Sequence, residues 1–92
     1  MINKQKIILF GAGEKALTIF NYIYNEYDII AFVDNDLRVQ GKTINNLKVI
    51  DPNSINKLDF DYVIVASMFD TAITSQLFYD LNIDLEKIRY VD

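Results

Sequence analysis

Gly11, Gly13 and Ala16 form a G-x-G-x-x-A spacing between the apolar run Ile7–Phe10 and a segment whose apolar residues recur at helical intervals. Between a strand and a helix, each small residue has a task. The first glycine permits a tight turn, the second lets a phosphate reach the backbone, and the small third residue lets the helix lie close to the strand. The free N–H groups at the helix start and the positive end of its dipole then make an anion site. Glu14 works against a phosphate in that first turn, and Lys15 partly offsets it. Asp34 closes the second apolar run about 20 residues after the glycines, where a carboxylate accepts hydrogen bonds from a ribose diol and favours NAD over NADP. Ala66 and Ser67, followed by Met68 and Phe69, leave the fourth apolar run at its carboxyl end and are placed to meet a base or a sugar.

The candidate binding set is therefore Gly11, Ala12, Gly13, Glu14, Lys15, Asp34, Asn35, Ala66 and Ser67. Plainer readings stand beside it. A glycine turn can serve only to pack a strand on a helix, and Asp34-Asn35-Asp36 can be loop formers and no more. Arg38 is read as a solvated surface cation, Asp70 as the cap of a following helix, and the tyrosines as core or rim packing.

These residues need a frame to hold them. Lys6–Phe10 reads as a buried strand, and Ala16, Ile19, Phe20, Ile23, Tyr24 and Tyr27 mark one face of a helix. Ile29–Val33 is apolar, short and rich in β-branched residues, which predicts a second strand. The polar stretch 34–47, with Gly41 and Asn45-Asn46 as turn residues, predicts a loop with one helical turn at most. Lys48–Ile50 predicts a third strand, and Asp51-Pro52 the capped start of a short helix through about Leu58. Tyr62–Ala66 predicts the fourth strand, Ile73, Leu77 and Leu81 the inner face of a second long helix, and Ile88–Val91 the last strand. Strands alternating with helices predict a three-layer α/β sandwich around a parallel sheet of five strands in the order 3-2-1-4-5.

Composition bounds what such a frame can do. The chain has 92 residues, enough for a single core, so one unit over 1–92 is expected. Hydrophobic residues make up 51% and charged residues 24%, the balance of a folded chain. A net charge of -4 disfavours nucleic acid and anionic membrane surfaces as partners. No apolar run suits a signal peptide or a spanning helix, which predicts a cytoplasmic protein. Cys and His are both absent, which removes thiolate nucleophiles, disulfides, imidazole bases, zinc sites and the Ser-His-Asp triad. No metal and no self-contained catalytic group is expected.

The stretches KIILFGAGEKA (6–16), IAFVDND (30–36), GKTINNLKVI (41–50) and DYVIVAS (61–67) resemble the small Rossmann-like module of bacterial surface-polysaccharide enzymes, of nucleoside-diphosphate-sugar epimerase-like type. The resemblance covers nearly the whole chain. It is similar to the N-terminal domain of sugar acyltransferases, which holds a UDP-sugar, and to that of polysaccharide-biosynthesis dehydratases, which accompanies an NAD-dependent catalytic domain. It implies that Gly11, Gly13, Asp34 and Ser67 contact the nucleotide, with NAD or a UDP-sugar as ligand. The acyltransferase turn carries a histidine that Gly11–Lys15 lacks, and Asn46 stands where the family has Gly. No tyrosine is followed four positions later by the lysine that short-chain dehydrogenases and true epimerases use, so the epimerase likeness concerns the fold.

Three functions follow from these readings. The first is a nucleotide-binding module for NAD(H) or a nucleotide sugar, working with a second domain, a partner protein or another copy of itself. The second is a fragment of an NAD-dependent nucleotide-sugar dehydratase or epimerase-type enzyme whose catalytic residues lie elsewhere. The third is a ligand-free interaction module.

Overall fold

A computed structural model describes residues 3–91. β1 (Lys6–Phe10) sits centrally in a six-stranded sheet, flanked by β2 (Asp28–Val33) and β5 (Tyr62–Val65). β4 (Leu47–Ile50) pairs with β2 and β6 (Ile88–Tyr90) with β5; all four of these pairings are parallel. This core reproduces the expected strand order.

The sheet nevertheless has one strand more than the five expected. β3 (Thr43–Ile44) adds an antiparallel edge to β4, pairing Thr43 with Lys48 and Ile44 with Leu47. The cause is local: Asn45 and Asn46 adopt φ of 51° and 66°. Two consecutive positive φ values make the two-residue hairpin turn whose twist matches the flanking strands, and Asn tolerates that region better than most residues. The Asn pair thus closes a hairpin inside the predicted loop.

Period-two alternation in the strands builds two cores. Ile7 and Leu9 of β1 and Ile64 of β5 face helix α1 (Glu14–Ile23), meeting Ala16 and Ile19. Ile8 and Phe10, with Val63 and Val65, face the opposite side, where helix α2 (Asp70–Ser75) contributes Ile73 and its continuation contributes Leu77. Every one of these strand residues is at most 6% exposed, because a parallel sheet covered on both faces has no solvent side. No polar side chain is buried among the described residues.

The helices depart from expectation in three places. α1 ends at Ile23, and Tyr24 caps it, so Tyr27 lies beyond the helix in a turn closed by its N–H to the Ile23 carbonyl. The segment after Asp51 starts as expected, with Asp51 as the cap and its carboxylate accepting the Asn53 N–H at 2.7 Å, but it is a 3₁₀ helix (Pro52–Lys57). Finally, Asp70 is not the cap of α2. Phe69 occupies the cap position and Asp70 is the first helical residue, its carboxylate taking the adjacent Thr71 N–H. The turn before the helix is held by Ser67, whose Oγ accepts the Phe69 N–H at 3.1 Å. α2 widens into a π segment (Gln76–Asp80), which keeps Leu77 and Leu81 buried.

Candidate functional site

The carboxyl ends of β1, β2 and β5 meet at one cavity of about 910 Å³. That is the edge where neighbouring chain segments diverge above and below an open α/β sheet, leaving a crevice. All nine residues of the candidate set line it, together with Phe10, Asp36, Met68, Phe69, Ala72, Ile73 and Gln76.

The two glycines of the turn have different physical roles. Gly11 has φ of +130°, donates its N–H to the Val33 carbonyl at 2.6 Å, and would place a Cβ 2.3 Å from the Ala66 carbonyl oxygen. It is wedged between the ends of β2 and β5, so its lack of a side chain serves the fold. Gly13 is exposed, and a Cβ there would meet no atom within 4 Å. Its bareness keeps the approach to the start of α1 open. Gly13 is also the N-cap of α1, with no side-chain cap, so the N–H groups of the first turn, at residues that line the cavity, have no partner within the helix. Ala16 is fully buried beneath them.

Asp34 binds the turn itself. One carboxylate oxygen accepts the Ala12 N–H at 2.9 Å, and the other accepts the Asp36 N–H at 2.8 Å. A carboxylate has about four acceptor positions, so each oxygen keeps room for a ligand donor. The position read as a ribose contact is therefore also a brace between the β2 end and the glycine turn. Around it, the Gln40 side chain donates to the Asp34 carbonyl at 2.8 Å.

Lys15 Nζ stands 3.5 Å from the Ser67 carbonyl across the mouth. Arg38 is engaged with Asp36: Nε and one terminal nitrogen donate to its two carboxylate oxygens at 3.0 and 2.9 Å. The guanidinium holds the Asp36 carboxyl below the usual carboxylate range. Arg38 does not line the cavity, in keeping with a surface role.

Gln76 is the feature that sequence reasoning missed. Its side-chain amide forms a reciprocal pair with Asn35, each nitrogen donating to the other's oxygen at 2.8 Å. A glutamine on a helix gives no signal of a partner 41 residues away, so only the topology reveals it. Met68 and Phe69 are 86% and 75% exposed at the rim, and Ala72 and Ile73 complete an apolar wall.

Fold and site together define a small Rossmann-like α/β sandwich with its cavity at the carboxyl edge of the sheet. The chain belongs to the C2185-like, N-terminal family, whose model matches residues 3–89. Comparison with curated proteins gives no match. Among solved structures the chain is similar to UDP-D-quinovosamine 4-dehydrogenase from Vibrio fischeri, with a TM-score of 0.75 and 21% identity over 97% of this chain and 79% of that one. It is also similar to RSP, a Rex-family repressor, in complex with beta-NADH, with a TM-score of 0.71 and 21% identity. A further RSP structure, with beta-NAD+ and operator DNA, matches with a TM-score of 0.69 and 16% identity. The chain covers 98% of itself but 54% of RSP in the NADH complex, so it spans about half the length of the repressor. At these identities the likeness is one of fold. Among the described residues no helix is long and apolar enough to cross a membrane.

Proposed function

We propose that this chain is a nucleotide-binding module whose ligand is NAD(H) or a nucleotide sugar, and that it serves surface-polysaccharide or nucleotide-sugar metabolism together with a second domain, a partner protein or another copy. One observation carries the reading: Asp34 and the glycine turn, far apart in sequence, are hydrogen-bonded into one wall of the cavity at the carboxyl edge of the sheet. That wall offers the two groups a nucleotide needs, unpaired N–H groups at the α1 start for phosphate and a carboxylate for the ribose diol. Gly11, Ala12, Gly13, Glu14 and Lys15 would surround the phosphate, Asp34 the ribose, and Asn35, Ala66 and Ser67 the remainder of the nucleoside. The solved neighbours include an NADH complex and a UDP-sugar dehydrogenase, which supports both ligand classes. The printed operator DNA belongs to the repressor, and this chain's net charge of -4 argues for a small-molecule ligand.

The binding groups lie within this chain, whereas its titratable lining, Glu14, Lys15, Asp34 and Asp36, offers no acid–base pair with an evident substrate. Catalysis, where the module takes part in it, belongs to the associated partner. Thermal unfolding with NAD, NADP, UDP and UDP-N-acetylglucosamine, followed by calorimetry of any ligand that shifts the midpoint, tests the assignment. A ligand at a hundred times its Kd adds about 2.7 kcal/mol, a shift of many degrees for a chain of this size. No shift with any of the four would remove the nucleotide reading.

A further inference from the structure

We infer that the cavity selects the oxidised, cationic form of a dinucleotide over its reduced form, and that Phe69 and Asp70 set the preference; this deepens the nucleotide reading above and rests on it. NAD+ and NADH differ by one hydride. Their phosphates, riboses and adenine are the same, so a wall that tells them apart has only the nicotinamide to read. That ring is a planar cation in one form and neutral in the other.

The α1 start follows β1, and β1 lies between β2 and β5. A ligand that runs from Asp34 across the α1 start therefore continues toward residues 67–69 after β5. Phe69 lines the cavity there and is 75% exposed. Among the described residues no aromatic ring and no cation stacks on it, so its ring is open to a ligand. An aromatic face attracts a cation within about 6 Å of its centroid and gives a neutral ring no such gain. Asp70, the next residue, is exposed and brings a carboxylate to the same place; with Lys15 it lines the adjoining depression.

The surrounding charge acts in the same direction. Glu14, Asp34 and Asp36 line the cavity against a single ammonium, Lys15. Arg38 offsets Asp36 from outside, and Asp70 adds a further carboxylate at the rim. Negative charge is left in excess, and the chain has no Cys or His whose titration near neutral pH could change it. Such a field favours the form that keeps a positive charge, most strongly at low ionic strength.

Calorimetry of the whole chain at low salt with NAD+, NADH, ADP-ribose and UDP tests the inference, using wild type, Phe69→Leu and Asp70→Asn. Phe69 makes no side-chain cap bond, and Asn keeps an acceptor for the Thr71 N–H, so both variants are expected to fold, which unfolding of each unliganded protein checks. Wild type is expected to bind NAD+ about threefold or more tighter than NADH. In each variant that ratio is expected to fall toward one while the affinities for NADH and ADP-ribose stay as in wild type, a pattern that a merely structural role would not give. Wild type that binds NADH as tightly as NAD+, or tighter, overturns the inference while the nucleotide reading stands. So do variants that keep the wild-type ratio, and so does binding of UDP with neither dinucleotide. Wild type that binds none of the four overturns the nucleotide reading itself.

Discussion

The carboxylate of Asp34 accepts the backbone N–H of Ala12 at 2.9 Å, joining the end of β2 to the turn after β1 across 22 positions of sequence. A side chain chosen by its spacing as a candidate ligand contact thus holds the glycine turn in place. Its replacement by Ala removes the acceptor for two backbone N–H groups, Ala12 and Asp36. Hydrogen bonds to charged groups contribute about 1.5–3 kcal/mol. Asp34→Ala is expected to lower the unfolding midpoint of the unliganded protein by several degrees and to abolish the NAD-induced shift. Asp34→Asn, which keeps one acceptor oxygen, is expected to recover part of the stability and little of the binding. Equal midpoints for wild type and Asp34→Ala would show that the brace carries no free energy.

Under the proposed nucleotide reading, Asp34 is also expected to set cofactor choice. A 2′-phosphate beside a carboxylate that already sits among Asp36 and Glu14 is repelled, so NADP is expected to bind at least about tenfold more weakly than NAD, read by calorimetry at low salt. Equal affinities would place the ribose away from Asp34.

Much of this arrangement is legible in the chain itself, and the reasons are local. Continuous apolar runs such as Ile7–Phe10 and Val63–Val65 announce strands buried on both faces, and connections long enough for crossovers announce parallel pairing, so the central five-strand order follows. β3 was hidden because two strand residues carry no periodicity; its signal was the Asn45-Asn46 turn chemistry, which reads equally well as plain loop. Asp70 misled because Asp before a helical pattern suits a cap, whereas the helix starts at Asp70 itself with Phe69 in the cap position. Site residues next to the glycines or at strand ends were visible as motif and position. Gln76 was not, since its role depends on how α2 returns over the sheet.

Acid is expected to weaken the loop after β2. Arg38 lowers the Asp36 pKa through its side-chain hydrogen bond first, its backbone N–H second and its charge after both. A depressed carboxylate pKa stabilises the fold above the unfolded carboxylate pKa, and that contribution is lost as pH falls through the lower folded value. The same contribution is screened by salt, because Arg38 is exposed. Comparison of wild type with Arg38→Ala by unfolding from neutral to acidic pH should therefore show a smaller acid-induced loss in the variant. Identical pH profiles would mean that the pair adds nothing. At the other end of the sheet, Asp59 raises the Lys6 pKa, so the corresponding contribution is present below the ordinary lysine pKa and fades only as alkali passes the raised value.

The two glycines of the turn should separate folding from binding. Gly11→Ala forces a Cβ to 2.3 Å from the Ala66 carbonyl oxygen at a φ of +130°, and neither neighbour can yield, because Ala66 is backbone-paired to Phe10 at 2.8 Å and Gly11 is held to Val33. Clash and positive φ together place this among the large single-residue losses, about 3 kcal/mol or more, out of a total of about 5–14 kcal/mol for a chain of this length. Gly13→Ala meets open space and costs at most about 1 kcal/mol as a poorer N-cap. Gly13→Val, likewise free of contacts at its Cβ, is expected to fold and yet to exclude a phosphate from the α1 start, so its unfolding midpoint should sit near that of wild type and be insensitive to NAD. If Gly13→Val still responds to NAD as wild type does, the phosphate lies elsewhere and the α1 start is not its site. If Gly11→Ala unfolds no more readily than Gly13→Ala, the wedge between β2 and β5 is looser than its geometry implies, and the first glycine would have to owe its place to the ligand instead of the fold.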